Sequence, residues 1–459
     1  MSDGVLVQAA RLAEAYRASL PERAVGPPAD LEALRAALGG PLAEGPTAAA
    51  DVVEALAAAV DAGLVATAGP RYFGFVTGGS TPAAAAADVL TTGWDQNGFN
   101  VVYSPAAAVA EEVAAGWLKE LLRLPAHASV GFVTGSQEAN TVGLAVARHH
   151  VLARAGWDVA RDGLAGAPRL RVVAGEERHS TVDRSVRLLG LGDARIEPVP
   201  ATGQGAMDTE GLRRVLERGP RDAPLVVVAQ AGNVNTGAFD DLRAVAELTH
   251  AHGGWLHVDG AFGLWAAASP SLRHLVDGLE LADSWGTDGH KWLNVPYDAG
   301  YVVCAHPTSH AAAMGMAAAY LVDAPGAVPV PSDFVLSASR RARGFATWAA
   351  LREHGRAGVA DLVDRCCAHA RRLAEGLSAG GLDIANDVVL NQVLVGFPGD
   401  ADRADRVVAA VQRAGTCWMG ATTWRGRRLM RVAVCSAATT EADVDRSVEA
   451  VLRADSTTS

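Results

Sequence analysis

The residue of this chain best suited to covalent chemistry is Lys291. Of the 40 basic residues among 459, only Lys119 and Lys291 are lysine, so the chain uses arginine wherever a positive charge suffices. A lysine amine can form an imine with a carbonyl compound; a guanidinium cannot. Lys119 lies in GWLKELLRLP beside Glu120, a helical surface pattern that predicts a solvated role. Lys291 lies in SWGTDGHKWLNVPYDAG (284–300), where a His-Lys pair on a loop between two short apolar runs can offer an amine to a pocket. From this segment alone, a surface lysine in a loop explains it equally well.

Four other segments carry groups that would complement such an amine. In WLHVDGAFG (255–263), Asp259 ends an apolar run and small residues follow it. A carboxylate there can point into a crevice and pair with a cationic ring nitrogen, or simply cap the next helix. In VGFVTGSQEANTVGLAVAR (130–148), Gly135 allows close approach, and the N–H groups of Ser136 and Gln137 at a helix start can bind a phosphate dianion. A plain N-cap also explains Ser136, and the pattern is neither GxGxxG nor GxxxxGK[ST], which counts against a dinucleotide or ATP site. GEERHSTVDRS (175–185) puts His179 directly after a strand-like run, where an imidazole can stack on a planar ligand or serve structure alone. AQAGNVNTGAFDDL (229–242) supplies a polar small-residue turn in which Asn233 and Asn235 can contact the ring or phosphate of a bound ligand.

The elements that must position these groups are legible from Val130 onward. Short β-branched runs at 130–133, 170–174, 194–199, 225–229, 255–259, 283–287 and 300–304 alternate with amphipathic stretches. That alternation predicts an α/β fold with a mainly parallel seven-stranded sheet, helices covering both faces. The division expected is a helical N-terminal segment (1–93), a large domain (94–325) and a small α+β C-terminal domain (326–459). The last is read as two long helices, 333–353 and 357–379, followed by strands. The N-terminal helices have too little apolar surface for their own core and should pack on the main body or on a partner subunit. All five chemical segments fall at the C-terminal ends of predicted parallel strands, where such sheets bind ligands. Together they offer a phosphate cradle, a ring-facing histidine, a polar turn, a carboxylate for a pyridine nitrogen and an imine-forming lysine. That set points to pyridoxal 5'-phosphate (PLP), with Asp259 keeping the ring an electron sink.

Bulk properties fit a globular enzyme: 49% hydrophobic and 20% charged residues. A net charge of -11 argues against a nucleic-acid or membrane-surface binder. The N-terminus reads as an amphipathic helix rather than a signal peptide, and no apolar run is long enough to span a membrane, so a cytoplasmic location is expected. The five cysteines lack metal-ligand spacing and read as reduced, mostly buried thiols; no metal is expected.

From about Pro70 to Leu452 the chain resembles the group II PLP-dependent amino-acid decarboxylases, which share the fold type I architecture of aspartate aminotransferase. HVDGAFG and DGHKW carry the resemblance most specifically. It implies that Lys291 is the Schiff-base lysine, Asp259 the partner of the pyridine nitrogen and Ala261 the small residue under the ring. It further implies that His179 stacks on the ring, that Gly135 and Ser136 form the phosphate turn, and that His290 lies near phosphate or substrate carboxylate. Tyr320 matches a mobile-loop tyrosine that protonates the substrate Cα after carbon dioxide leaves, and Arg431 matches a C-terminal active-site arginine. Tyr72, Phe73, Phe75, Trp94 and Phe99 lie where the family lines its substrate pocket, which points to an aromatic or apolar side chain, and Thr77 joins the substrate-binding set; a subunit-interface core accounts for the aromatic ones equally well. A homodimer with shared active sites is implied. The family commonly has Asn-Pro before His-Lys, HVDAA, and a lysine after the histidine; here stand Asp288-Gly289, HVDGA and Arg184. The reaction expected is decarboxylation of an L-amino acid to its amine. C–C lyase or aldolase chemistry, transamination, aldehyde synthesis and non-catalytic PLP binding are the alternatives.

Overall fold

Each of the seven predicted runs forms a strand of one sheet. In the computed structural model, which describes residues 4–26, 30–316, 330–399 and 402–458, they are β1 (Ser129–Val133), β2 (Arg171–Gly175), β3 (Glu197–Val199), β4 (Leu225–Gln230), β5 (Trp255–Asp259), β6 (Ser284–Asp288) and β7 (Gly300–Cys304). Their order is β1-β7-β6-β5-β4-β2-β3. β2 to β6 pair in parallel, whereas β7 runs antiparallel to both β6 and β1. Every residue of β4, β5, β6 and β7 is buried, as strands covered on both faces require. The helix Ser136–Arg154 packs on the sheet through Val142 and Val146 against a core that includes Val172, Val226 and Val228. Its closeness depends on Gly143, where a Cβ would lie 2.5 Å from the His257 ring.

The pairing of β5 with β6 decides where their C-terminal ends fall. His257 is opposite Ser284, and Asp259 is opposite Gly286. Asp283 fixes the entry to that pair: its N–H donates to Leu256 O at 2.9 Å, and its carboxylate accepts from Leu256 N at 2.8 Å. The same carboxylate takes His306 at 2.8 Å and His250 at 3.0 Å. At the other end Gly260 N donates to Gly286 O, and Asp288 N to Ala261 O, each at 2.9 Å. The two strands are thus clamped at both ends, and Asp259 and Asp288 come out side by side.

The chain divides into two compact units, one of residues 80–368 with 386–392, the other of 1–79, 369–385 and 393–459. This outline differs from the three expected domains. Residues 1–79 group with the C-terminal part because Arg71, 2% exposed, donates to Pro21 O, Thr416 O and Asp443, and Tyr72 bridges Trp418. Residues 330–343 join the larger unit through Val335 in its core and through the buried Arg340–Glu111 pair at 2.6 Å. For the same reason the helix expected over 333–353 begins only at Gly344; before it the backbone must stay irregular to seat Val335 and Arg340. That helix continues to Ala379 with a break at Gly355 (φ 59). The smaller unit contains β8 (Asp383–Ile384), β10 (Gly420–Trp424), β11 (Arg427–Ala433) and most of β9 (Gln392–Gly396), in the order β10-β11-β9-β8. Its helices Val5–Ser19, Leu31–Leu38 and Ala49–Val60 bury no residue. Lys119 is more occupied than its surface pattern suggests, donating to Ala126 O at 2.7 Å and Ala128 O at 2.9 Å. All five cysteines are buried thiols. Among the described residues no helix is long and apolar enough to cross a membrane.

Burial pushes the Asp283 carboxyl up, but His250, His306 and the Leu256 N–H outweigh it and hold its pKa down at about 2. Its contribution to stability is therefore complete above the unfolded value of about 4 and is lost as the pH falls toward 2. Asp283→Asn should lower stability by about 2 kcal/mol at neutral pH. Denaturant titrations across the acid range should show the gap to wild type closing below about pH 3.

Candidate active site

Lys291 follows β6 by three residues, and its Nζ lies 2.6 Å from Asp288 Oδ2. Asp288, the last residue of β6, is 1% exposed. Its carboxylate also accepts from Ser136 N and Ser136 Oγ, each at 2.6 Å, and lies 3.5 Å from His290 Nε2. Burial opposes ionisation of Asp288, but the Lys291 ammonium, His290 and Ser136 outweigh it and hold its pKa below the usual carboxylate value. Burial likewise pulls the Lys291 amine down, yet the Asp288 carboxylate overrides this, so the amine titrates above an ordinary lysine. His290 is fixed by Ala299 N, which donates to its Nδ1 at 3.2 Å, and by stacking on Tyr297 with centroids 4.4 Å apart. Burial lowers its pKa.

Asp259 ends β5 as expected and is 5% exposed. Its Oδ2 accepts from Asn140 Nδ2 at 3.0 Å and its Oδ1 from Ala261 N at 3.3 Å. Burial raises its pKa despite the opposing pull of His179, Lys291 and Asn140. Behind it runs a chain of buried hydrogen bonds whose directions are all determined. An ionised Asp259 only accepts, so Asn140 turns its amide NH₂ to it and its Oδ1 toward His257 Nε2, 3.0 Å away. Burial holds His257 neutral, with its pKa at about 3. Its Nε2 must therefore donate, and its Nδ1 accepts from Ser284 Oγ at 2.8 Å. Ser284 Oγ in turn accepts from Trp255 Nε1 at 2.9 Å. The relay aims a donor at Asp259 without any net charge.

His179 caps the helix Ser180–Leu188, accepting from Thr181 N at Nδ1 (3.3 Å). That bond leaves Nε2 to carry the proton of the neutral ring. Thr181 Oγ1 also accepts from Asn140 Nδ2 at 3.3 Å, so His179, Thr181, Asn140 and Asp259 form one connected group. Gly135 and Ser136 open the helix Ser136–Arg154 at the C-terminal end of β1. The side chain of Gln137 is committed to Ser185 Oγ at 2.9 Å, which leaves only its N–H for an anion. Asn233 builds its own turn: its Oδ1 accepts from Asn235 N (2.8 Å) and Thr236 N (3.2 Å), and its Nδ2 donates to Glu177 O. Trp94 is half exposed and meets Phe345 edge-on at 5.2 Å. Phe99 O accepts from Ser332 N at 3.1 Å. Phe75, Thr77 and Arg431 belong to the smaller unit, where Phe75 (φ 52) stacks on Trp418 at 5.3 Å, Thr77 is buried and burial lowers the pKa of Arg431. Tyr320 lies outside the described residues.

The sequence reading missed Asp288, Asn140, Thr181 and His257 as members of the site. Two signals were present. His257 and Asp259 are two apart on a strand and share a face, and Ser136 and Asn140 are four apart on a helix and share a face.

These residues fit PLP. Burial raises the Asp259 pKa, and a cationic ring nitrogen is what would stabilise its charged form. A Cβ on Gly135 would lie 2.8 Å from His290 Cε1 and 3.1 Å from Asp288 Oδ1, so glycine is what lets these two groups approach the helix start. Lys291, one-fifth exposed, supplies an amine that a ligand aldehyde can reach. Ser136 is the exception, since its N–H and hydroxyl are held by Asp288.

Residues 33–396 match the family model described as the pyridoxal-dependent decarboxylase conserved domain. Tryptophan decarboxylase 1 of Oryza sativa subsp. japonica is 30% identical over 415 residues, covering 83% of this chain and 79% of that protein. The aromatic-L-amino-acid decarboxylase of Sus scrofa is 29% identical over 385 residues, 80% and 78% of the two chains. The crystal structure of Oryza sativa TDC with PLP and tryptamine superposes with a TM-score of 0.91 at 24% identity over 99% of this chain and 97% of that one, which establishes the fold. A family match of that extent makes this chain a member of the pyridoxal-dependent decarboxylases, group II enzymes that use PLP to release carbon dioxide from an amino acid.

Proposed function

We propose that the substrate is an aromatic L-amino acid, converted to its amine, with Lys291, Asp259, His179 and Tyr320 as the catalytic residues. The observation that carries the assignment of residues is the placement of Lys291 and Asp259 at the ends of adjacent strands, with Gly135 and Ser136 across from them. PLP, when bound, supplies an electron-accepting ring joined to the substrate nitrogen. Lys291 would hold the cofactor through Nζ. Asp259, held by Asn140, keeps a proton on the ring nitrogen. His179, which caps the helix Ser180–Leu188, would stack on the ring, and Tyr320, or His179 itself, would deliver the proton to Cα. His290 and the N–H groups of Gly135, Gln137 and, once Asp288 releases it, Ser136 would take the phosphate. Asn233 and Asn235 shape the neighbouring turn, and Ala261 leaves space for the ring.

The aromatic substrate class is supported by the relatives, a tryptophan decarboxylase and aromatic-L-amino-acid decarboxylases. By the family resemblance, Phe75, Thr77, Trp94, Phe99 and Arg431 are assigned to substrate binding. The enzyme is proposed to act in the cytoplasm as a homodimer that shares its active sites. Leu6, Val7, Leu12 and Leu56, on helices that bury nothing, are 58%, 45%, 38% and 55% exposed, a face that a second copy would cover.

A panel of L-amino acids assayed for amine and carbon dioxide release tests the reading. Amine should form from tryptophan, tyrosine, phenylalanine or a hydroxylated relative, and Lys291→Ala should abolish it; turnover confined to acidic or small substrates would reject the aromatic class. Asp259→Asn should cut kcat by on the order of a hundredfold or more, the scale of losing one pre-placed electrostatic group. Tyr320→Phe should lower the rate of amine formation, and an undiminished rate would remove Tyr320 from the mechanism. Asn140→Ala should reduce kcat roughly ten- to a hundredfold, as loss of a supporting hydrogen bond does. Because Asn140 lowers the Asp259 pKa, the acid limb of its pH–rate profile should also move to higher pH. Sedimentation equilibrium should give twice the chain mass, with Leu6→Asp/Leu56→Asp shifting it toward the monomer.

A further inference from the structure

We propose that Asp288 sets how tightly, and at what pH, the cofactor is held: its carboxylate competes with the phosphate for Ser136 and clamps the Lys291 amine as an ammonium. The inference rests on the cofactor assignment and is independent of which amino acid is the substrate.

The geometry supplies both halves. Ser136 N and Oγ, at the N-terminus of the helix Ser136–Arg154, are the donors best placed to receive a phosphate. Both are engaged by Asp288 at 2.6 Å. A phosphate brought to the same turn must either displace the carboxylate or sit beside a buried like charge, and both weaken binding. Inorganic phosphate and the cofactor's phosphate ester share this chemistry.

The second half concerns the amine. Imine formation requires Nζ to lose a proton, form the C–N bond to the aldehyde carbon and expel the carbonyl oxygen as water. Asp288 Oδ2, 2.6 Å from Nζ, stabilises the protonated amine that cannot attack. The charged and titratable groups that face this pair are few. Asp288 faces Lys291 and His290 on its own turn, Asp259 from β5 and Tyr301 from β7. Lys291 faces Asp288, Asp259, His290 and Tyr297. Asp259 and Asp288 both favour the ammonium, but only Asp288 touches it. Asp288 is therefore a positioning residue that acts through Lys291 and Ser136.

The test compares wild type with Asp288→Asn, which keeps the shape and removes the charge. Full-length protein stripped of cofactor would be titrated with PLP and with pyridoxal, and imine absorbance followed against pH. The asparagine variant should bind PLP about tenfold more tightly or better, the change that one pK unit of electrostatic coupling produces. Its imine formation with pyridoxal should have a pH midpoint below that of wild type. The gain in affinity should be larger for PLP than for pyridoxal, and inorganic phosphate should inhibit pyridoxal uptake more strongly in the variant. Equal gains for the two aldehydes would overturn the phosphate competition, and an unmoved pH midpoint would overturn the amine clamp. If the variant does not fold, wild type still decides: its midpoint with pyridoxal should lie above that of Nα-acetyl-lysine in the same buffer, and a midpoint at or below it would overturn the clamp. An imine that persists in Lys291→Ala would instead refute the lysine assignment itself.

Discussion

Two carboxylates buried at the ends of neighbouring strands, with one lysine amine between them, set the conditions for everything else in this site. Neither Asp259 nor Asp288 has enough solvent to stabilise its charge, so each needs partners supplied by the fold. Asp288 obtains them from Lys291, Ser136 and His290, and its pKa falls. Asp259 accepts from a neutral amide donor and, at longer range, from Ala261 N, and the pull of His179 and Lys291 does not offset its burial, so its pKa rises. The difference matches what each must meet. Asp259 is left incompletely compensated and suits a cation brought by a ligand, whereas Asp288 is already compensated within the protein.

This balance depends on register and on close packing. A slip of one residue between β5 and β6 would turn His257, Asp259 and Asp288 to the wrong face of the sheet. The Asp283 carboxylate prevents it at the strand entry, where it is held in the charged form by two histidines and a backbone N–H. Close approach of the helix Ser136–Arg154, made by Gly143 and by the small residues of β6, then lets Asn140 reach both His257 and Asp259. A neutral relay suits that location, because a charged histidine beneath the sheet would have to be desolvated.

The departures from the family pattern take on meaning in this setting. Asp288, where an asparagine is common, keeps a hydrogen-bonding shape but adds a charge beside the anion cradle. Fold and cofactor are unaffected, since the sheet, Lys291 and Asp259 are all in place. What changes is the electrostatics of the phosphate end, which periodicity cannot reveal.

The seven strands were legible within a few residues because each is a short apolar or β-branched run bounded by turns or helices, a local property. Lys291, Asp259, His179 and the Gly135–Ser136 turn were legible for a related reason: each sits where such a run stops, and in a parallel sheet those ends gather on one edge. The start of the helix at Gly344 was not legible, because residues 330–343 are held irregular by Val335 entering a distant core and by Arg340 pairing with Glu111, 229 positions away. That Asn233 also builds its own turn was not legible in its residue type, although an asparagine's short amide readily reaches its own backbone. The sequence by itself determined the class of fold and singled out Lys291 and Asp259 as the candidates for an imine-forming amine and its partner carboxylate, all through local pattern and residue chemistry. Only the tertiary structure decided that Asp288 would hold Ser136 and Lys291, and that Asn140 and His257 would stand behind Asp259. Except for Asp288 and Lys291, three positions apart, those contacts join residues more than a hundred positions apart, and their energies depend on burial that no local pattern encodes.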